Sequence, residues 1–196
     1  MAMMQPCRRA LVGALLATMA LPLAACGDGA DDQADAPAAG ATASGTLADR
    51  LADSADLATV SGVVKDAGLA DVFGGAAAYT ILAPRDSAFD ALGDPGKELR
   101  QPENRAAAVA LLRAHIVPGY LTPKDIAAAV AADSDGKVQM RTMAGSTVTF
   151  TKSGTDIVAT ADDGATGVIA TDAVTAGNGV AIPVAGVLRK VQPPAA

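Results

Sequence analysis

Apolar and polar positions change their rhythm several times along the chain. Ala10 to Leu23 is an apolar run interrupted only by Gly13, Thr18 and Pro22, whereas Gly27 to Gly45 contains no large apolar residue. At Thr46 the apolar positions Leu47, Leu51, Leu57, Val60, Val63 and Val64 start to recur at helical spacing. That spacing predicts helix with a break near Ser54 and a stop at Gly68, ahead of Leu69, Val72 and Phe73. Tyr79 to Ala83 reads as a short buried strand closed by Pro84. Asp86 is a candidate cap for a short helix carrying Phe89 and Leu92, and Pro102 to Ala114 reads as an Ala-rich helix. His115 to Val117 is a strand ended by Pro118 and Gly119. Thr122 followed by Pro123 is a cap and first-turn pair for a helix through Ala131.

Beyond Gly136 the rhythm becomes that of strands. Lys137 to Met143, Thr147 to Lys152, Thr155 to Thr160 and Val168 to Thr171 are short runs separated by Gly-containing turns. Alternation in Thr147 to Thr151 puts Val148 and Phe150 on one face. Two more apolar runs, Val180 to Val184 and Val187 to Val191, follow the turn Gly177, Asn178, Gly179. Helices gathered in the first half and strands in the second predict an α+β class rather than a regularly alternating parallel sheet.

The first 25 residues change the picture of where the protein resides. Arg8 and Arg9 precede an apolar run too short for a membrane span, which needs about 20 apolar residues, and the run ends in small residues as a signal peptide does. Leu23, Ala24, Ala25 and Cys26 resemble the lipobox of bacterial lipoproteins, which implies that Cys26 is joined to a diacylglyceryl group and becomes the first residue of the exported chain. The expected organisation is a signal peptide over 1–25, a solvated Ala/Gly/Asp-rich tether over 26–45, one domain over 46–192 and a tail over 193–196. Of two Cys, Cys7 leaves with the signal peptide, so no intrachain disulfide is expected and the core alone must provide stability.

Charge points the same way. The chain carries a formal −6; without Arg8 and Arg9 the balance is 13 basic against 21 acidic residues, or −8. A surface of this sign repels nucleic acid and anionic headgroups, so attachment to a membrane is expected to run through the lipid on Cys26. In a cell with two membranes, Gly27 after the Cys gives the outer membrane as the expected destination.

Three stretches resemble the fasciclin domain in order and spacing. Thr80 to Phe89 (TILAPRDSAF) is similar to the family's first motif, His115 to Leu121 (HIVPGYL) to its second, and Asn178 to Leu188 (NGVAIPVAGVL) to its closing strand. The resemblance covers Leu47 to Val191. It implies a single wedge of about seven strands with several helices packed on it, and a role in adhesion or extracellular binding. Three positions depart from the family pattern: Arg85 replaces the usual Thr before the Asp, Ala114 the usual Tyr before the His, and Ile182 a His of the closing strand. The integrin-type contact that animal members associate with the Tyr-His pair therefore lacks its Tyr here.

Candidate chemistry is sparse. His115 is the only His, so neither a His/Cys metal site nor a Ser-His-Asp or Cys-His triad is expected, and neither an enzyme nor a cofactor. An imidazole in the second motif is expected to pair with a neighbour, and Asp86 in the first motif is the expected partner. Arg85 marks a candidate contact site. Asp162 and Asp163 lack the alternating ligands of a calcium loop and read as a solvated turn. The expected function is a non-catalytic adhesion or interaction module, lipid-anchored at the cell envelope, with an unidentified surface, matrix or protein partner. The alternative is a carrier of a lipophilic molecule such as a carotenoid, with Met140 and Met143 lining its groove.

Overall fold

The structure, a computed structural model, describes residues 45–191. The predicted signal peptide, Cys26, residues 26–44 of the tether and the tail lie outside the described residues. Among the described residues no helix is long and apolar enough to cross a membrane.

The first half is a set of short helices: α1 (Leu47–Ala52), a 3-10 turn (Ala55–Leu57), α2 (Ala58–Asp66) and α3 (Ala70–Gly74) before strand β1 (Tyr79–Pro84), then α4 (Asp86–Asp90), α5 (Asp94–Glu98), a 3-10 turn (Pro102–Asn104) and α6 (Arg105–Arg113). The expected break at Ser54 and stop at Gly68 are both present, Gly68 with φ 67°. Two helices start on reciprocal caps. Thr46 Oγ1 accepts from Asp49 N at 3.2 Å while Asp49 Oδ2 accepts from Thr46 N at 3.1 Å. Thr122 and Asp125 repeat the arrangement at the start of α7 (Pro123–Ala132).

Strands β2 (Ile116–Pro118), β3 (Lys137–Arg141), β4 (Thr147–Ser153), β5 (Asp156–Ala161), β6 (Thr166–Ile169), β7 (Val174–Ala176) and β8 (Gly179–Val184) complete one eight-stranded sheet with β1. Its order is β2-β1-β8-β6-β5-β4-β3, with β7 also paired to β8. Among the described strands only β1 and β8 run parallel, in the register Tyr79↔Gly179 to Pro84↔Val184. The far edge curls back towards the near one. Met143 N donates to Ile116 O at 2.8 Å and Ala144 N to Arg113 O at 3.1 Å, so the sheet nearly closes on itself. This ends β3 at Arg141, two residues before the predicted limit.

The curled sheet separates two cores. One, on the helical side, gathers Leu47, Leu51, Val60, Phe73, Ile81, Phe89, Leu112 and Ile116. The other, inside the curl and closed by Ile126 and Val130 of α7, gathers Leu82, Val148, Phe150, Ala159, Val180 and Ile182. Strands between the cores are buried on both faces: Ile81 faces one and Leu82 the other, as do Ala181 and Ile182. Hence their sequences are continuous apolar runs, while β4 and β5 bury one face and alternate. β8 stops at Val184, so the last apolar run, Val187 to Val191, is not a strand; Val187 and Leu188 are buried from an irregular segment.

Candidate functional site

The three motif stretches lie side by side, because β2, β1 and β8 are adjacent in the sheet. Polar side chains at this junction bond to backbone from distant segments. Thr80 Oγ1 donates to Gly119 O at 2.8 Å and accepts from Leu121 N at 2.9 Å, fixing the turn after β2. Asn178 joins three segments: its Oδ1 accepts from Leu47 N at 2.9 Å at the start of α1, and its Nδ2 donates to Gly75 O at 3.0 Å and to Phe73 O. The neighbouring Gly179 permits that approach, since a Cβ there would fall 2.6 Å from Tyr79 O and 2.7 Å from Leu47 Cδ2.

His115 is fully buried, with a relative exposure of 0%. Its Nε2 lies 2.8 Å from Leu188 N, a donor, so Nε2 is the acceptor and the ring hydrogen resides on Nδ1, which donates to Leu111 O at 2.8 Å. The ring therefore binds the C-terminal segment to the end of α6. Burial, which disfavours the imidazolium, lowers its pKa to about 4 against the bond to Leu111 O, and keeps it neutral at pH 7. Both ring nitrogens are occupied by backbone, so the imidazole has no lone pair or proton to offer a substrate.

The expected pairing of Asp86 with His115 is not formed. The carboxylate of Asp86 turns instead to the start of α2, accepting from Thr59 N at 2.8 Å and Ala58 N at 3.1 Å. The physical reason is that α2 begins at Ala58 after Leu57, which offers no side-chain cap, and its unpaired N–H groups attract a carboxylate more strongly than a neutral ring with both nitrogens taken. Asp86 thus caps α2 and not its own helix. Burial alone would raise its pKa, but the bonds from Thr59 and Ala58 and the charge of Arg100 outweigh it and hold the group below the usual carboxylate range.

Arg85, read as a candidate contact site, pairs with Asp56 of the 3-10 turn and lies 3.8 Å from Asp172 of the β6–β7 connection. It ties the helical layer to a strand connection, with 29% of its side chain exposed. Asp163 is a turn residue with a second duty: Oδ1 accepts from Ala165 N at 2.9 Å and Oδ2 from Lys190 N at 2.7 Å, so it helps hold the same C-terminal segment that His115 holds. Met140 packs against the core inside the curl and Met143 against the helical core, so the two do not line one groove.

One feature of the surface was not legible from sequence. A cleft of about 500 Å³ runs between α2 and α6, floored by Val63, Leu99 and Ala108 and edged by Arg100 and Arg105. Arg100 is neutralised by Asp90 at 2.6 Å and its guanidinium carbon sits 6.0 Å from the centre of the Phe89 ring. Arg105 donates to Asp66 O and forms no ion pair among the described residues.

The fasciclin domain model matches residues 55–190, which takes in all three motifs and both cores. The chain belongs to the fasciclin domain family. Among solved structures, it is similar to a FAS1 domain pair from the insect cell adhesion molecule fasciclin I, with a TM-score of 0.63 and 15% identity over 74% of this chain. The match covers 51% of that chain, so this protein spans about half of the insect pair. At that identity the likeness is one of fold. No curated protein matches the chain. Fasciclin domains are in general non-enzymatic adhesion and interaction modules and typically extracellular. The departures at Arg85 and Ala114 have structural counterparts: Arg85 bridges Asp56 and Asp172, and Ala114 is buried beside His115.

Proposed function

We propose that this fasciclin domain works as a non-catalytic interaction module held at the cell envelope by a lipid on Cys26. The observation that carries the reading is that four polar groups of its three motifs, Thr80, Asp86, His115 and Asn178, bond to backbone. What remains for function is surface, presented on a rigid frame. A tether of roughly 20 residues of Gly-rich coil spans about 25 Å, which lets the domain stand off a bilayer while remaining concentrated near it. Anchored copies facing one partner or matrix add individually weak contacts through high local concentration.

Two experiments test the reading. Cys26→Ser should leave an unprocessed precursor and abolish labelling by a radioactive acyl chain; normal labelling removes the anchor. In a deletion strain, the lipidated protein should restore surface attachment while a soluble form starting at Thr46 does not. Equal rescue by the soluble form would replace a tethered module by a diffusible one, and turnover of a substrate by the purified domain would overturn the non-enzymatic reading.

A further inference from the structure

Two adjacent positions at the motif junction are each fixed by a structural demand. Position 178 needs a side chain that both accepts and donates: Oδ1 accepts from Leu47 N at 2.9 Å, while Nδ2 donates to Gly75 O at 3.0 Å and to Phe73 O. A primary amide combines an acceptor and two donors in one group. Position 179 needs glycine, because a Cβ there would fall 2.6 Å from Tyr79 O. The fold therefore requires Asn followed by Gly, and that pair carries a chemistry of its own.

In an unconstrained chain the backbone nitrogen that follows an asparagine attacks the side-chain amide, and glycine, having no side chain, leaves that nitrogen least hindered. Here the Gly179 nitrogen would add to Cγ of Asn178, the Cγ–Nδ2 bond would break, and ammonia would leave with the proton from Gly179. Water then opens the five-membered imide. Its addition at Cγ gives aspartate; its addition at the backbone carbonyl gives isoaspartate, whose main chain is one carbon longer. In both products the Gly179 nitrogen recovers a proton.

The folded protein keeps the two reactants apart. The amide of Asn178 is held at both ends, and the peptide that carries the Gly179 nitrogen lies in the sheet. Gly179 is paired to Tyr79 on one side and to Ala176 on the other, and Asn178 O accepts from Tyr79 N at 3.4 Å. For Cγ to reach the nitrogen, α1 and the turn after α3 must leave the start of β8, which is a local opening of the structure. Once formed, the product does not fit the junction. A carboxylate keeps the bond from Leu47 N but has no hydrogen for Phe73 O and Gly75 O, and sets negative charge against both. Isoaspartate also displaces Gly179 from its register with Tyr79.

We propose that Asn178 is the ageing site of this domain: the native fold suppresses its deamidation, and deamidation in an opened chain disables the junction permanently. The proposal is independent of the anchor and of the adhesive reading. It is tested on residues 26–196 carrying Cys26→Ser, a chain that contains both cores. Samples are incubated at mildly alkaline pH, one in native buffer and one in denaturing guanidinium chloride, and the peptide containing position 178 is followed by mass spectrometry for the gain of one mass unit. Deamidation should be at least about a hundredfold faster in the unfolded chain, because the folded one reacts only through its opening. Asn104, the other asparagine, is followed by Arg105 and should react more slowly than Asn178 in the unfolded chain. Thr46→Ala, which uncaps α1, should raise the folded-state rate about fivefold. Deamidated protein, separated by its extra negative charge and refolded, should melt about 5 °C or more below the unmodified protein from the same sample, and Asn178→Asp should do likewise or fail to fold. Equal rates in folded and unfolded chains, faster loss at Asn104, a folded-state rate unmoved by Thr46→Ala, or an unchanged melting temperature in the deamidated protein would each overturn the proposal.

Discussion

The helical side with its motif junction and the sheet from β3 to β6 are stabilised in different ways. In the hairpin sheet each strand is held by a regular ladder to its sequence neighbour, as in Val148↔Ala161 through Ser153↔Asp156, and the outward face carries register-matched polar residues such as Gln139, Thr149, Thr160 and Thr166. The helices of the first half are five to nine residues long, too short to persist on propensity alone. They are fixed by side chains from elsewhere: Asp86 on α2, Asn178 on α1 and α3, His115 on α6. Polar residues are thus structural anchors on one side of the molecule and solvated surface on the other. Single substitutions should separate the two.

The largest effect is expected at His115. His115→Ala removes two buried bonds, strands Leu188 N and leaves a cavity, which together cost about 4 kcal/mol. Chemical denaturation measures it, and a loss under about 1 kcal/mol would remove the imidazole from the list of anchors. Asn178→Ala should follow at about 2 kcal/mol, because Leu47 N and two carbonyls lose a partner at once. Asp86→Ala removes a cap supplied from another segment and should cost about 1 kcal/mol. Since Asp86 and His115 share no bond, the double variant should equal the sum of the single ones to within about 0.5 kcal/mol. Clear non-additivity would restore the direct pair. At the small end, Thr149→Val on the hairpin face should change stability by less than about 0.5 kcal/mol, and a larger loss would show that this face too depends on polar anchoring.

The same contrast explains what the sequence discloses. Elements that arise from local pattern were legible: the alternation in Thr147 to Thr151, the capping residue Thr122, the stop at Gly68. The fasciclin resemblance also placed the three motif strands in one wedge. Partners of the polar motif residues were not legible, because they are set by chain segments far away in sequence. Asp86 reads like a cap but is the first residue of α4, and the uncapped start of α2, about 28 positions earlier, takes its carboxylate. β7 is three residues long and is defined by its pairing with β8 rather than by any period. The last apolar run reads like a strand but has no ladder partner, and is held by His115 and Asp163 instead. The α2–α6 cleft arises from two helices meeting, which no local pattern records.

Acid should act on the two sides unequally, through His115. Its folded pKa, about 4, lies below the ordinary value of about 6.5, so the unfolded chain takes up a proton first as pH falls. The stability it contributes is whole above pH 6.5 and is lost on the way down to about pH 4. The full difference corresponds to about 3 kcal/mol, and His115→Ala should remove this part of the pH dependence.

Whether the motif imidazole is a buried anchor or a chemically available group decides the account. Nitrogen NMR of the folded protein, with the ring of its single His labelled, reads this directly. The structure predicts a neutral ring with the hydrogen on Nδ1 and no titration between pH 7.5 and 5.5, protonation setting in only towards about pH 4. An imidazole that titrates near 6.5 in the folded state, or that exchanges between its two tautomers, would contradict it.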